Sequence, residues 1–244
     1  EERICGYPCT VLYFHRKLEF SRYIYLFFLL FFFVNFIKKI VDEFKNKRII
    51  GIDLAGSSKR ETGICFLHGY NAEINSLKSD AEIISSILYF KPDLIAIDAP
   101  LSLPEGRCCT CEKCSCSVHG IRRESDRELR RMGIRAYPTL MESMRPLTRR
   151  GINLSVLLRS KNFDVIETYP HGVKIMLGLP KEMENILEIF SNAGFNFNYK
   201  KLSRHGIDSF LSAIAGYFYL SGNFIEIGNK NEGTIILPKL KEKI

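Results

Sequence analysis

Two apolar runs in this chain each end on an aspartate. Arg48-Ile49-Ile50-Gly51-Ile52-Asp53 leads into the turn Leu54-Ala55-Gly56-Ser57-Ser58, and Leu94-Ile95-Ala96-Ile97-Asp98 leads into Ala99-Pro100. Both runs read as buried strands, rich in β-branched residues. Desolvating a carboxylate at such a place costs several kcal/mol unless a cation or hydrogen bonds compensate it. Each Asp is therefore either a turn anchor or part of a site. A third acid, Asp208, follows His205 by three residues at the start of a run rich in small residues, Ser203 to Tyr217. On a helix that spacing puts both side chains on one face. Glu167 closes a further strand-like stretch, Asp164 to Pro170, as a metal ligand or as a hydrogen-bonding partner of the next turn. Carboxylates brought close together repel unless a cation lies between them. A nearby histidine could orient water or shuttle a proton near neutral pH.

A second cluster is sulfur-rich. Cys108, Cys109, Cys111, Cys114 and Cys116 fall within nine residues, and His119 follows. The loop 104–120 offers Cys108, Cys111, Cys114, Cys116 and His119 at spacings suited to tetrahedral zinc, which needs four ligands. An iron–sulfur cluster or a metal-free redox loop are the alternatives. Cysteines this close suit a metal better than a disulfide framework and point to a reducing, cytoplasmic setting.

The formal net charge is +8, and from Arg107 to Ser160 twelve basic residues stand against five acidic ones. A concentrated basic field suits a polyanion such as DNA or RNA, and Arg122, Arg123, Arg127, Arg130, Arg131, Arg149 and Arg150 are the candidate contacts. A salt-bridged solvated helix face would have the same composition. Asp126 is read either near the site or as an intrahelical partner of these arginines.

The elements that would position these groups follow in order. After the first strand, Thr62–His68 and Ala72–Leu77 read as a meander. Asp80 is the expected N-cap of a helix over Ala81–Phe90, stopped by Lys91-Pro92. The Asp98 strand follows. A helical crossover implies a parallel strand, and if it lies beside the first strand, Asp53 and Asp98 meet at one sheet end. Helices are expected over Ile121–Met132 and Lys181–Ala193, a basic segment with a buried side of Leu154, Val156, Leu157 and Leu158 over Met144–Ser160, and short strands over Phe224–Ile227 and Thr234–Leu237.

Residues 1–47 have another character and are set apart from a domain over 48–244. Tyr23 to Ile37 is an uncharged, almost wholly apolar run flanked by Arg22 and Lys38-Lys39. It is short for a membrane span. A membrane contact through 23–37, a helix packed on the domain, and a mis-assigned start are the three expectations. Cys5 and Cys9 have a weak metal-like spacing.

Taken together, GIDLAGS at 51–57, AIDAPLSLP at 96–104, GRCCTCEKC, RRESDRELRRMGI at 122–134, VIETYP at 165–170, HGIDSFLSAIAGY at 205–217 and GTIILP at 233–238 resemble the family known as domain of unknown function 429. The resemblance covers about Arg48 to Lys239. It implies a ribonuclease H-like α/β fold: a five-stranded mixed sheet in the order 3-2-1-4-5 flanked by helices, with the Cys-rich zinc-type loop inserted. It also implies nuclease activity, with Asp53, Asp98 and Asp208 holding two Mg²⁺ or Mn²⁺. His205-x2-Asp208 resembles the late His-x2-Asp of Holliday-junction resolvases. Two rival functions are a non-catalytic, zinc-containing nucleic-acid binder and an ATP-binding protein of the sugar-kinase, chaperone and actin type. The latter needs a second Gly-rich phosphate loop, which IDAPLSLP does not supply.

Overall fold

The computed structural model describes residues 31–240. Its framework is one mixed sheet of eight strands: β1 (Arg48–Asp53), β2 (Thr62–His68), β3 (Asn71–Leu77), β4 (Leu94–Asp98), β5 (Val165–Thr168), β6 (Asn196–Tyr199), β7 (Phe224–Asn229) and β8 (Gly233–Pro238). The spatial order is β6-β3-β2-β1-β4-β5-β8-β7. The expected order 3-2-1-4-5 is present in its centre, but the sheet has eight strands rather than five. The closing hairpin joins through β8, parallel to β5, and β6 joins the other edge, parallel to β3. Asn196–Tyr199 alternates Asn with aromatic residues as a strand does, but over only four residues the pattern is too short to stand out.

Among the described residues seven α-helices flank the sheet: α1 over 31–43, α2 (Asp80–Phe90), α3 (Glu124–Arg131), α4 (Arg145–Ser160), α5 (Pro170–Met176), α6 (Met183–Asn192) and α7 (Arg204–Leu220). Ser79, rather than Asp80, caps α2. Its hydroxyl accepts from the Glu82 N–H at 3.2 Å, and Glu82 accepts from the Ser79 N–H at 2.8 Å, a reciprocal capping box. Lys91, at φ 51°, ends the helix in the left-handed region before Pro92.

Successive strand residues point to opposite faces, and both faces are covered. Ile50, Ile52, Ile64, Ile95 and Ile97 pack with Ile83 and Ile87 of α2 and with Leu154 and Leu158 of α4. The other face gathers Ile49, Cys65, Leu67, Ala72 and Ile74 under α7, α6, α5 and α1. From α1, Phe33, Ile37, Ile40 and Val41 are buried in that core, with the Phe33 ring edge-on to Phe190. The described half of the apolar N-terminal run is thus a helix packed on the sheet domain. Its first half, Tyr23 to Leu30, lies outside the described residues, as do Cys5 and Cys9. Among the described residues no helix is long and apolar enough to cross a membrane.

Helix α7 lies closer to the sheet than ordinary side chains permit. A Cβ on Gly51 would stand 2.0 Å from the Ser209 carbonyl oxygen, and one on Gly63 would stand 2.1 Å from that of His205. These two glycines let the N-terminal end of α7 rest on the ends of β1 and β2. Ser203 caps that end, accepting from the Gly206 N–H at 3.1 Å.

Candidate acidic site and cysteine cluster

Strands β1 and β4 pair in parallel with Asp53 opposite Asp98. Gly51 meets α7, so by strand alternation Asp53 projects to the α7 face, and its register partner Asp98 does the same. From α7, His205 Nδ1 lies 2.7 Å from Asp53 Oδ2. Asp208, one turn further on, is paired with Lys174 of α5, whose Nζ is 2.5 Å from Asp208 Oδ1. Three carboxylates expected at one sheet end are therefore gathered there, and they feel one another's charge.

Burial pushes the Asp53 carboxyl up. Its hydrogen bond and attraction to His205 oppose that rise, and the Asp208 charge adds to it. Asp98 is held well above the usual carboxylate range, first by burial and then by the charges of Asp53, Asp208 and Glu167. Among the described residues its carboxylate has no hydrogen-bond or ion-pair partner. His205 is raised, chiefly by its hydrogen bond to Asp53. An unpartnered, partly buried carboxylate flanked by two others is an all-oxygen donor set of the kind that hard divalent cations take. The oxygens of these acids are of the right chemistry, but among the described residues only the cysteine set brings three or more ligand atoms within 4.8 Å of one another, and Lys174 already stands on Asp208.

Glu167 does not join this group. Its carboxylate grips the Arg123 guanidinium with both oxygens and accepts from the Leu101 N–H at 2.8 Å. The turn it serves is the one after β4, at Leu101, and not the one that follows its own strand. Asp126 is likewise structural: it accepts from the Arg123 and Thr139 N–H groups and from the Thr139 hydroxyl.

The arginines divide. Arg123 is only 1% exposed and is spent on Glu167, Thr139 and Ser102, so it cannot touch nucleic acid. Arg150 is buried as well and staples Asp80, the Ala55 carbonyl and the Lys78 carbonyl together. Both assignments as nucleic-acid contacts are corrected: each guanidinium is enclosed by the elements it joins. Arg127, Arg130, Arg131 and Arg149 are exposed, and Arg122 is half-buried. Arg127 and Arg131 share Glu124, while Arg149 donates to the Thr110 hydroxyl of the cysteine loop at 3.0 Å.

In that loop the sulfurs of Cys108, Cys109, Cys114 and Cys116 lie within 4.8 Å of one another and could hold a metal ion. The Cys108–Cys114 and Cys109–Cys116 sulfur pairs are each 3.8 Å apart. A tetrahedral zinc with bonds of about 2.3 Å needs sulfur–sulfur edges of about 3.8 Å, so the set fits. Cys109 replaces Cys111 and His119 in the expected ligand list. Cys111 instead donates its backbone N–H to the Cys109 sulfur at 3.4 Å, and the His119 ring packs over Gly106, whose φ is 80°. Spacing alone favoured the CxxC pairs, and the turn at Cys108-Cys109 has no signature that turns the second sulfur inward. Backbone N–H groups, the Cys108 one first, hold the Cys116 thiol down to about 6, while the neighbouring sulfurs of Cys116 and Cys114 push Cys108 up to about 12. The loop is clasped from outside by Arg145 on Glu112 and by Glu232 on the Glu105 N–H at 2.8 Å.

No protein-family model and no curated protein matches the sequence. Among solved structures, the chain is similar to T. thermophilus RuvC in complex with Holliday junction substrate, at 11% identity over 72% of this chain and 96% of that one, with a TM-score of 0.44. It is also similar to the Thermus thermophilus RuvC structure, at the same identity and coverage, with a TM-score of 0.41. These likenesses are too slight to assign a function, and the functional reading rests on the residues.

Proposed function

We propose that the protein is a metal-dependent nuclease that hydrolyses phosphodiester bonds of DNA or RNA at the Asp53–Asp98–Asp208 cluster. The observation that carries this reading is the Asp53–Asp98 register on adjacent parallel strands, with the Asp98 carboxylate left without a hydrogen-bond or ion-pair partner among the described residues. The motif set resembling domain of unknown function 429 points the same way. Asp53, Asp98 and Asp208 would hold Mg²⁺ or Mn²⁺. Such ions, when bound, lower the pKa of an attacking water and stabilise a leaving oxygen.

The chain's own groups do the rest. Asp53 fixes the His205 imidazole through Nδ1. Nε2 is then free to exchange a proton, and the raised pKa keeps that proton available near neutral pH. The exposed Arg127, Arg130, Arg131 and Arg149 would bind phosphates without reading sequence. A structural zinc on Cys108, Cys109, Cys114 and Cys116 would hold the loop that Arg149 touches.

The test is a Mg²⁺ and Mn²⁺ cleavage screen on labelled single-stranded, duplex, hybrid and branched nucleic acids. The wild type should cut at least one of them, and Asp53→Asn and Asp208→Asn should each abolish the cut. Undiminished cleavage by either variant would sink the assignment. Salt-sensitive binding with no cleavage under any divalent ion would favour the non-catalytic binder.

A further inference from the structure

We propose that the Lys174 ammonium is the resident cation of the acidic cluster, holding the place of a divalent ion until one binds and setting the affinity for that ion. The inference rests on the metal-binding reading of Asp53, Asp98 and Asp208 given above.

Lys174 comes from α5, an element separate from those that carry the three acids, and reaches Asp208 Oδ1 at 2.5 Å. Both side chains are largely enclosed: Lys174 is 17% exposed and Asp208 14%. An ion pair enclosed to this degree is screened little by solvent. Asp53 and Asp98 also feel the attraction of Lys174, so its charge bears on all three acids. The other cations near the cluster do not match it. Arg204 stands 3.7 Å from Asp208 but is 81% exposed, and His205 is committed to Asp53. Asp98, half-buried between like charges, has no cation paired with it among the described residues.

A divalent ion entering this cluster meets a positive charge already seated on Asp208. Binding must move the ammonium aside or tolerate its repulsion, and either lowers affinity. Lys174 is thus a positioning residue that tunes the site. It also keeps three clustered carboxylates tolerable in the metal-free fold.

The experiment is calorimetric titration of the zinc-loaded full chain with Mn²⁺ at pH 8, with Asp98→Asn as the control that identifies heat from the acid cluster. Lys174→Met should bind Mn²⁺ on the order of tenfold more tightly or better, as expected for removing a unit charge at contact distance. Lys174→Arg, which keeps the charge, should bind like the wild type. Lys174→Gln serves if the methionine variant does not fold. Tighter binding in the neutral variants alone supports the proposal. Equal or weaker binding in them, with normal binding by the wild type, overturns it and leaves the metal site standing. If neither wild type nor variant gives heat that Asp98→Asn removes, the metal-site reading falls, and this inference with it.

Discussion

An unpaired carboxylate at the end of a buried strand opposes folding, and Asp98 is such a group. Its proton is held in the folded chain well above the usual carboxylate range. Between that ordinary range and the raised value, the folded state carries a proton that the unfolded state has released. Stability therefore falls as pH rises through this window. In buffer without divalent ions, Asp98→Asn, which removes the charge, should melt above the wild type at pH 8, by roughly 1.4 kcal/mol for each pKa unit by which folding raises the carboxyl. The gap should narrow as pH falls toward 4. Denaturant melts across that range check it, and a variant less stable at pH 8 would contradict it. At this scale the acids were legible because a carboxylate closing an apolar strand has no packing reason to be there. The arginines were not. Composition marks a guanidinium as a candidate for phosphate, but the partners that bury Arg123 and Arg150 lie 44 and 70 positions away along the chain.

Elements carry those residues to one place, and the glycines under α7 decide how close they come. Gly63→Ala would drive a methyl group into the His205 carbonyl. Overpacking of this kind costs about 1–3 kcal/mol, and here it should also displace His205 and Asp208. The expected result is a lower melting temperature together with weaker Mn²⁺ binding; normal binding would show that the seat of α7 is not what sets the site. The cysteine loop makes a separate prediction. Cys109→Ser should lose bound zinc, while Cys111→Ser and His119→Ala should keep one zinc per chain, as read by metal analysis of the purified proteins. The central strands could be read from their apolar runs and breakers. Strand β6 could not, because so short an edge strand is fixed by its pairing with β3 rather than by a pattern long enough to read. Helix α5, which supplies Lys174, is a seven-residue piece beginning at Pro170, with no periodicity long enough to detect.

Across the whole molecule, the sheet separates two apolar cores and brings the acids to one end of the face that α7 covers. The apolar N-terminal run, set apart by composition, contributes α1 to that same core. The exposed arginines and the cysteine loop lie along α3 and α4, a basic fringe that suits a polyanion. On this account the protein gives up stability at Asp98 in return for an acid that a divalent ion can use. The most direct test measures Mg²⁺-dependent phosphodiester cleavage and melting temperature together for Asp98→Asn and the wild type, at matched zinc content. The account predicts that the variant melts higher in magnesium-free buffer and cuts nothing. A variant that still cuts at the wild-type rate would contradict it.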